Sequence, residues 1–205
     1  YKGLVLHYPL DGYRSGANIA SGTNTASINT NALAFSEQTG GSTREIEYDE
    51  GVPCIKIIRN STAHSGWSYL RYGSINRSLL KPSTSYVLSM DVIASGSGKI
   101  GFSALLNGNG TKPLTSSVTV VSNSFNSETW SHLVYRTTTI DSFEGVMDNQ
   151  VIYMGCSYLT NTDVWLKAKN IKLEEGTIDT PWMPYSGDAA YTKMGYNSTT
   201  EFDSS

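Results

Sequence analysis

The chain is short of charge, of sulfur and of long apolar runs. Lys, Arg, Asp and Glu make up 16% of its 205 residues, 15 basic against 18 acidic, for a formal net charge of −3. An average soluble protein carries roughly 25% charged residues. A duplex-binding surface needs clustered Lys and Arg to neutralise phosphates, so scattered basic residues on a slightly acidic chain argue against nucleic-acid binding. No stretch approaches the roughly 18 consecutive apolar residues of a membrane span, and Tyr1 onward shows no basic region followed by an apolar one. The sequence therefore predicts a soluble domain of ordinary size, with no membrane insertion. The only two cysteines, Cys54 and Cys156, lie in the apolar runs CIKII and VIYMGC. That setting predicts small core residues in preference to a metal site or a disulfide scaffold. A disulfide between them would imply an oxidising compartment.

Catalytic signatures are missing as well. The three histidines, His7, His64 and His132, fall in unrelated segments, and there is no Gly-x-Ser-x-Gly, His-Glu-x-x-His, Gly-Lys-Ser/Thr or Cys-x-x-Cys motif. Glu174 and Glu175 are adjacent, so on a strand they point to opposite faces and cannot flank one glycosidic bond. No catalytic residues are assigned. A binding module is the better expectation, and a carboxyl pair about 5 to 10 Å apart across a cleft would revive a polysaccharide lyase or depolymerase.

What fills the vacancy is Gly, Ser, Thr, Asn and Tyr, arranged in short β-branched or aromatic runs between turn-forming clusters. Residues 84–94, TSYVLSMDVIA, alternate Tyr86, Leu88, Met90 and Val92 against Ser85, Ser89 and Asp91, which predicts one buried and one polar face. Further strands are expected at 54–59, 99–106, 117–121, 130–140, 151–159 and 164–173. The spacing predicts an all-β protein, a two-sheet antiparallel sandwich or jelly roll.

Residues 171–184, IKLEEGTIDTPWMP, place Leu173, Glu174, Gly176, Thr180, Trp182 and Pro184 in a pattern of apolar strand, Leu-Glu-x-Gly and Thr-x-Trp-x-Pro. This resembles the closing signature of carbohydrate-binding-module-like jelly rolls in phage tail, baseplate and host-adhesion proteins. The segments KPSTSYVLSMDV (81–92), ETWSHLVYRTTT (128–139) and NIASGTN (18–24) resemble other parts of the same modules. The resemblance covers residues 18–185 and implies a galactose-binding-like sandwich. The last strand is expected to end at Gly176, with Trp182 and Pro184 as a structural clamp folded back over the open end of the sandwich. It also implies a non-catalytic sugar-binding module of a phage adhesin, located on the virion or outside the cell. Its partners would be a bacterial cell-surface polysaccharide and other tail or baseplate proteins. A ligand-free spacer of the same fold, or an accessory module of a secreted glycoside hydrolase, stands as the alternative.

The ends read differently. GLVLHYPLDG (3–12) and TTEFDSS (199–205) resemble parts of concanavalin-like, laminin-G-type lectin domains. Residues 1–17 and 186–205 are thus expected to begin and continue a second domain into which the jelly roll is inserted, with Tyr8 and Phe202 close together.

Flat aromatic faces stack on sugar C–H patches while planar polar side chains bond hydroxyls. The segment SGWSYLRYGSINR (65–77) concentrates both in Trp67, Tyr69, Arg71, Tyr72 and Arg77, with Trp67, Tyr69 and Arg71 on one face if the segment is a strand. The same aromatics could instead cover one end of the core. Strand alternation adds Asp91, His132 and Arg136 as a polar sheet face, either a ligand platform or ordinary solvated surface. His132 is expected to act as a hydrogen-bonding residue, because no second histidine stands at ligand spacing. No cofactor is assigned from the residues. The resemblance leaves room for a structural calcium, for which Glu47, Asp49 and Glu50 are the nearest acids, but their spacing is not that of a calcium loop and residues 49–51 read as a β-turn.

Overall fold

The computed structural model describes residues 33–35, 42–50, 52–59, 68–107, 114–145, 149–156 and 164–183. The expected lectin-like ends (1–17 and 186–205), the opening at 18–24, Trp67 and Pro184 lie outside them. The described strands are β1 (Leu33–Phe35), β2 (Ser42–Asp49), β3 (Val52–Arg59), β4 (Ser68–Asn76), β5 (Ser85–Ala94), β6 (Gly98–Asn107), β7 (Thr115–Ser122), β8 (Ser124–Phe125), β9 (Ser131–Thr139), β10 (Asn149–Cys156) and β11 (Trp165–Glu175). A single 3-10 turn, Arg77–Leu79, follows β4.

The strands form two antiparallel sheets, a five-stranded one in the order β1-β4-β10-β6-β8 and a six-stranded one in the order β2-β3-β11-β5-β9-β7. The all-β sandwich is as expected. Alternation in β5 turns Tyr86, Leu88, Met90, Val92 and Ala94 inward, each fully buried, to meet Ile55 and Ile57 of β3, Leu133 and Tyr135 of β9, and Leu166, Ala168, Ile171 and Leu173 of β11. Ile100 and Phe125 come from the facing sheet. The Tyr135 hydroxyl donates to the Ile100 carbonyl at 2.6 Å, so a polar group inside the core is satisfied across the layers.

A bulge in β11 decides which of its residues face out. Lys169 pairs with Asp91 and Lys172 with Ser89, so two residues, Asn170 and Ile171, oppose one on β5. Asn170 takes a left-handed φ of 55° there. Before the bulge the even positions, Leu166 and Ala168, point inward. After it Ile171 and Leu173 do, leaving Lys172 and Glu174 outward.

The structure departs from the sequence reading at three places. The turn expected at 49–51 is present, with Asp49 paired to Val52 and Glu50 at φ 50° in the connection between them, but residues 42–49, where no strand was expected, form the strand β2. Its charges oppose strand propensity, and lysines on β3 and β11 compensate for them. Cys54 is buried as a reduced thiol, yet it sits on the outer side of β3, opposite in parity to Ile55 and Ile57, below the charged side chains of that face. Burial pushes its thiol pKa up. The closing segment does not cover the open end of the sandwich. It crosses the outer face of the six-stranded sheet, where Thr180 meets Lys172 and Glu174, and Trp182 Nε1 donates to the Ile171 carbonyl at 3.1 Å.

Candidate functional site

The outer face of the six-stranded sheet carries a charge ladder. Lys167 lies opposite Lys56, and Lys56 opposite Glu45. Two lysines side by side repel, and Glu47 resolves this by accepting from both of them. Glu45 adds a second carboxylate to Lys56 at 3.0 Å. Hydrogen bonds from Lys167 first and Lys56 second hold the Glu47 carboxyl below the usual carboxylate range. One repeat along β11, Lys169 pairs with Asp49 of β2.

Two tryptophans are set into this ladder. The Lys169 ammonium lies 4.2 Å from the centroid of the Trp130 ring, and Lys167 lies 5.2 Å from that of Trp165. The Lys169 side chain is only 14% exposed and Trp130 is partly buried, so the ammonium is largely shielded from solvent where it meets the ring. A cation under a ring is attracted to its π face, so the lysine fixes the ring's tilt.

Beside them Asp91, His132 and Lys169 form one cross-strand row. Asp91 Oδ1 stands 2.7 Å from His132 Nδ1, and Asp179 Oδ2 of the closing segment stands 2.8 Å from Nε2. Asn170, released by the bulge, donates to Asp91 Oδ2 at 2.7 Å. The hydrogen bond to Asp91, opposed by burial and supported by the one to Asp179, pushes the His132 pKa up to about 9. Burial raises the Asp91 carboxyl, but the hydrogen bonds from His132 and Asn170 outweigh it and the net direction is down. At neutral pH His132 is an imidazolium donating both N–H groups to carboxylates, with no lone pair to act as a base.

The sequence-predicted site residues divide between the two sheets. Asp91 and His132 are brought into contact. Arg136 shares their face but stands four residues further along β9, about 13 Å away. Tyr69, Arg71 and Tyr72 belong to β4, in the five-stranded sheet, where Arg71 pairs with Ala34 and Tyr153, Tyr72 with Leu33 and Ile152, and Tyr69 with Gly155. Arg77 opens the 3-10 turn. The β4 group and the Asp91–His132 pair therefore cannot form one platform, because the latter looks away from the five-stranded sheet. Trp182 is anchored to the Ile171 carbonyl on the outer face of the six-stranded sheet, not over the open end where the clamp was expected.

Trp130, Trp165, Lys167, Lys169, Asn170 and Asp179 were not singled out from the sequence. A signal existed in VWLKAKN, where Trp165, Lys167 and Lys169 alternate with Leu166 and Ala168 at the period of a half-buried strand. Among the described residues no three His, Cys, Asp or Glu side chains are grouped to hold a metal ion. The Glu47 and Asp49 carboxylates face lysines.

The fold is similar to that of solved structures at low identity. The arabinose-bound MgGH51 α-L-arabinofuranosidase matches 79% of this chain with a TM-score of 0.51 and 13% identity. The enzymatically active domain of bacteriophage CBA120 tailspike protein 4 matches 78%, with a TM-score of 0.51 and 12% identity. This chain spans 27% and 21% of those two proteins. The CBM22-1–CBM22-2 tandem domain of Paenibacillus barcinonensis Xyn10C matches 84% of this chain and is itself covered to 49%, with a TM-score of 0.49 and 11% identity. No protein-family model and no curated protein matches the sequence.

Proposed function

We propose that this sandwich is a non-catalytic carbohydrate-binding module of a phage tail or baseplate adhesin, and that it takes a bacterial surface glycan on the outer face of its six-stranded sheet. The observation that carries the reading is Trp130, partly exposed and held against the Lys169 ammonium, on the face that also holds Trp165 and the Asp91–His132–Asn170 network. The two tryptophans border strands two apart in the sheet, about 10 Å between strand axes, a span that admits more than one sugar ring. The planar groups of Asp91, Asn170 and His132 are already oriented by their mutual hydrogen bonds, which lowers the entropy lost on binding. A histidine locked between two carboxylates supports binding over acid–base chemistry. A shallow face of this kind gains little per site, and many copies on one particle would supply avidity.

The test is binding of the purified protein to an array of bacterial cell-wall and capsular glycans, with Trp130→Ala and Trp67→Ala alongside. Trp130→Ala is expected to keep the fold and weaken binding at least about tenfold, as a truncated central aromatic does at an interface. No binding up to about millimolar glycan would leave the ligand-free spacer. Loss confined to Trp67→Ala would move the site to the aromatic segment 65–77.

A further inference from the structure

Among the described residues the two sheets end in four edge strands, and three of them are short or charged. β1 and β8 are three and two residues long. β2 places Arg44, Glu45, Glu47 and Asp49 within eight residues. Short or charged edges resist strand addition. The fourth edge, β7, has eight residues, TSSVTVVS, with no charge, no proline and no glycine. Ser116, Ser117, Thr119, Val120 and Val121 are exposed on it, the two valines to 48% and 50%. Among the described residues only β9 pairs with it.

We propose that β7 is a strand-addition surface and that its partner is β7 of a second copy of this chain. The segment Ser116–Ser122 reads nearly the same in both directions. Antiparallel self-pairing centred on Thr119 sets Thr119 against Thr119, Val118 against Val120, Ser117 against Val121 and Ser116 against Ser122. Thr–Thr and β-branched cross-strand pairs are favourable, and no like charges meet. The register irregularities of β7 against β9 leave Ser116 and Val121 as bulged residues, so the regular stretch 117–120 carries the central pairs of Thr119, Val118 and Val120, and the outer pairs meet at the bulges. The pairing is isologous, with its two-fold axis perpendicular to the sheet, so two six-stranded sheets join into one with both outer faces on the same side. Resting on the sugar reading above, that places two glycan platforms toward one cell surface. The dimer itself does not depend on that reading.

Sedimentation equilibrium of the full chain reads the outcome directly. The expected mass is twice 22.3 kDa at tens of micromolar. Thr119→Lys, which sets two like charges directly across the axis, is expected to raise the dimer dissociation constant at least about tenfold, and Val121→Lys, which replaces the valine facing Ser117 with a charge at each end of the pairing, is expected to raise it in the same direction. Thr43→Lys on β2 should leave it unchanged. A wild-type monomer at all concentrations up to about millimolar, or a dimer indifferent to both β7 variants, overturns the proposal. Glycan binding is scored separately, so a dimer that binds no sugar removes the platform reading and keeps the interface.

Discussion

Strand β11 carries lysine–carboxylate systems on both sides of its bulge, in two very different settings. Beyond Asn170, Lys172 and Glu174 are 0% and 1% exposed, 3.0 Å apart, under the closing segment. The Lys172 ammonium also donates to the Thr180 hydroxyl at 2.6 Å and to the Thr180 and Pro181 carbonyls, while Glu174 accepts from the Thr180 N–H and hydroxyl. Before the bulge, Lys167 and Lys169 are partly exposed and meet Glu47, Asp49 and two indoles. Desolvating two charges costs several kcal/mol unless geometry and further hydrogen bonds offset it, whereas a partly solvated pair risks little and gains little. The same chemistry thus makes a latch where the chain returns over it and a platform where it does not.

The contrast can be broken most sharply at Glu174. Glu174→Ala leaves the Lys172 ammonium buried without its carboxylate and should cost about 3 to 5 kcal/mol in urea unfolding, with loosening of residues 177–183. Replacing both partners, Lys172→Met with Glu174→Leu, should recover much of that loss, since a well-packed apolar pair is often neutral. A Glu174→Ala variant as stable as wild type would refute the latch.

His132 lies between the two regimes, half-exposed yet joined to the closing segment through Asp179. Its folded pKa of about 9 lies above the ordinary 6.5. The stability it adds is therefore fully present below pH 6.5 and is lost as pH rises through about 9. With half the side chain in solvent, screening reduces this to about 1 kcal/mol. Unfolding of wild type and His132→Gln compared from about pH 6 to 10 should show their difference shrinking by that amount. A constant difference would dismiss the coupling. The smallest effect is expected at Asp49. Asp49→Ala removes the partner of Lys169 and should change stability by less than about 1 kcal/mol. A loss comparable to that at Glu174 would show that the ladder is as desolvated as the latch.

Period-two alternation made β5, β9 and most of β11 legible, because inward Tyr86, Leu88, Leu133, Tyr135 and Leu166 leave a pattern that needs no partner to be read. The strand β2 was not legible. STREIEYD is stable as a strand only because Lys56, Lys167 and Lys169, far along the chain, neutralise it. The Asp91–His132 contact was half-legible, as two outward residues on strands expected to share a sheet. Asn170 and Asp179 complete that network through a bulge and a returning segment that alternation does not encode.

The sequence alone determined the all-β sandwich class and the inward faces of its clearest strands, because burial of apolar side chains follows local periodicity; the motif around Thr180 and Trp182 was legible through its resemblance to carbohydrate-binding-module-like jelly rolls. Only the tertiary structure decided that β4 and the Asp91–His132 pair lie on different sheets, that the closing segment covers an outer face, and that Trp130 rests on Lys169. Those outcomes depend on which strands become neighbours and on a one-residue bulge, and contacts across tens of residues settle both.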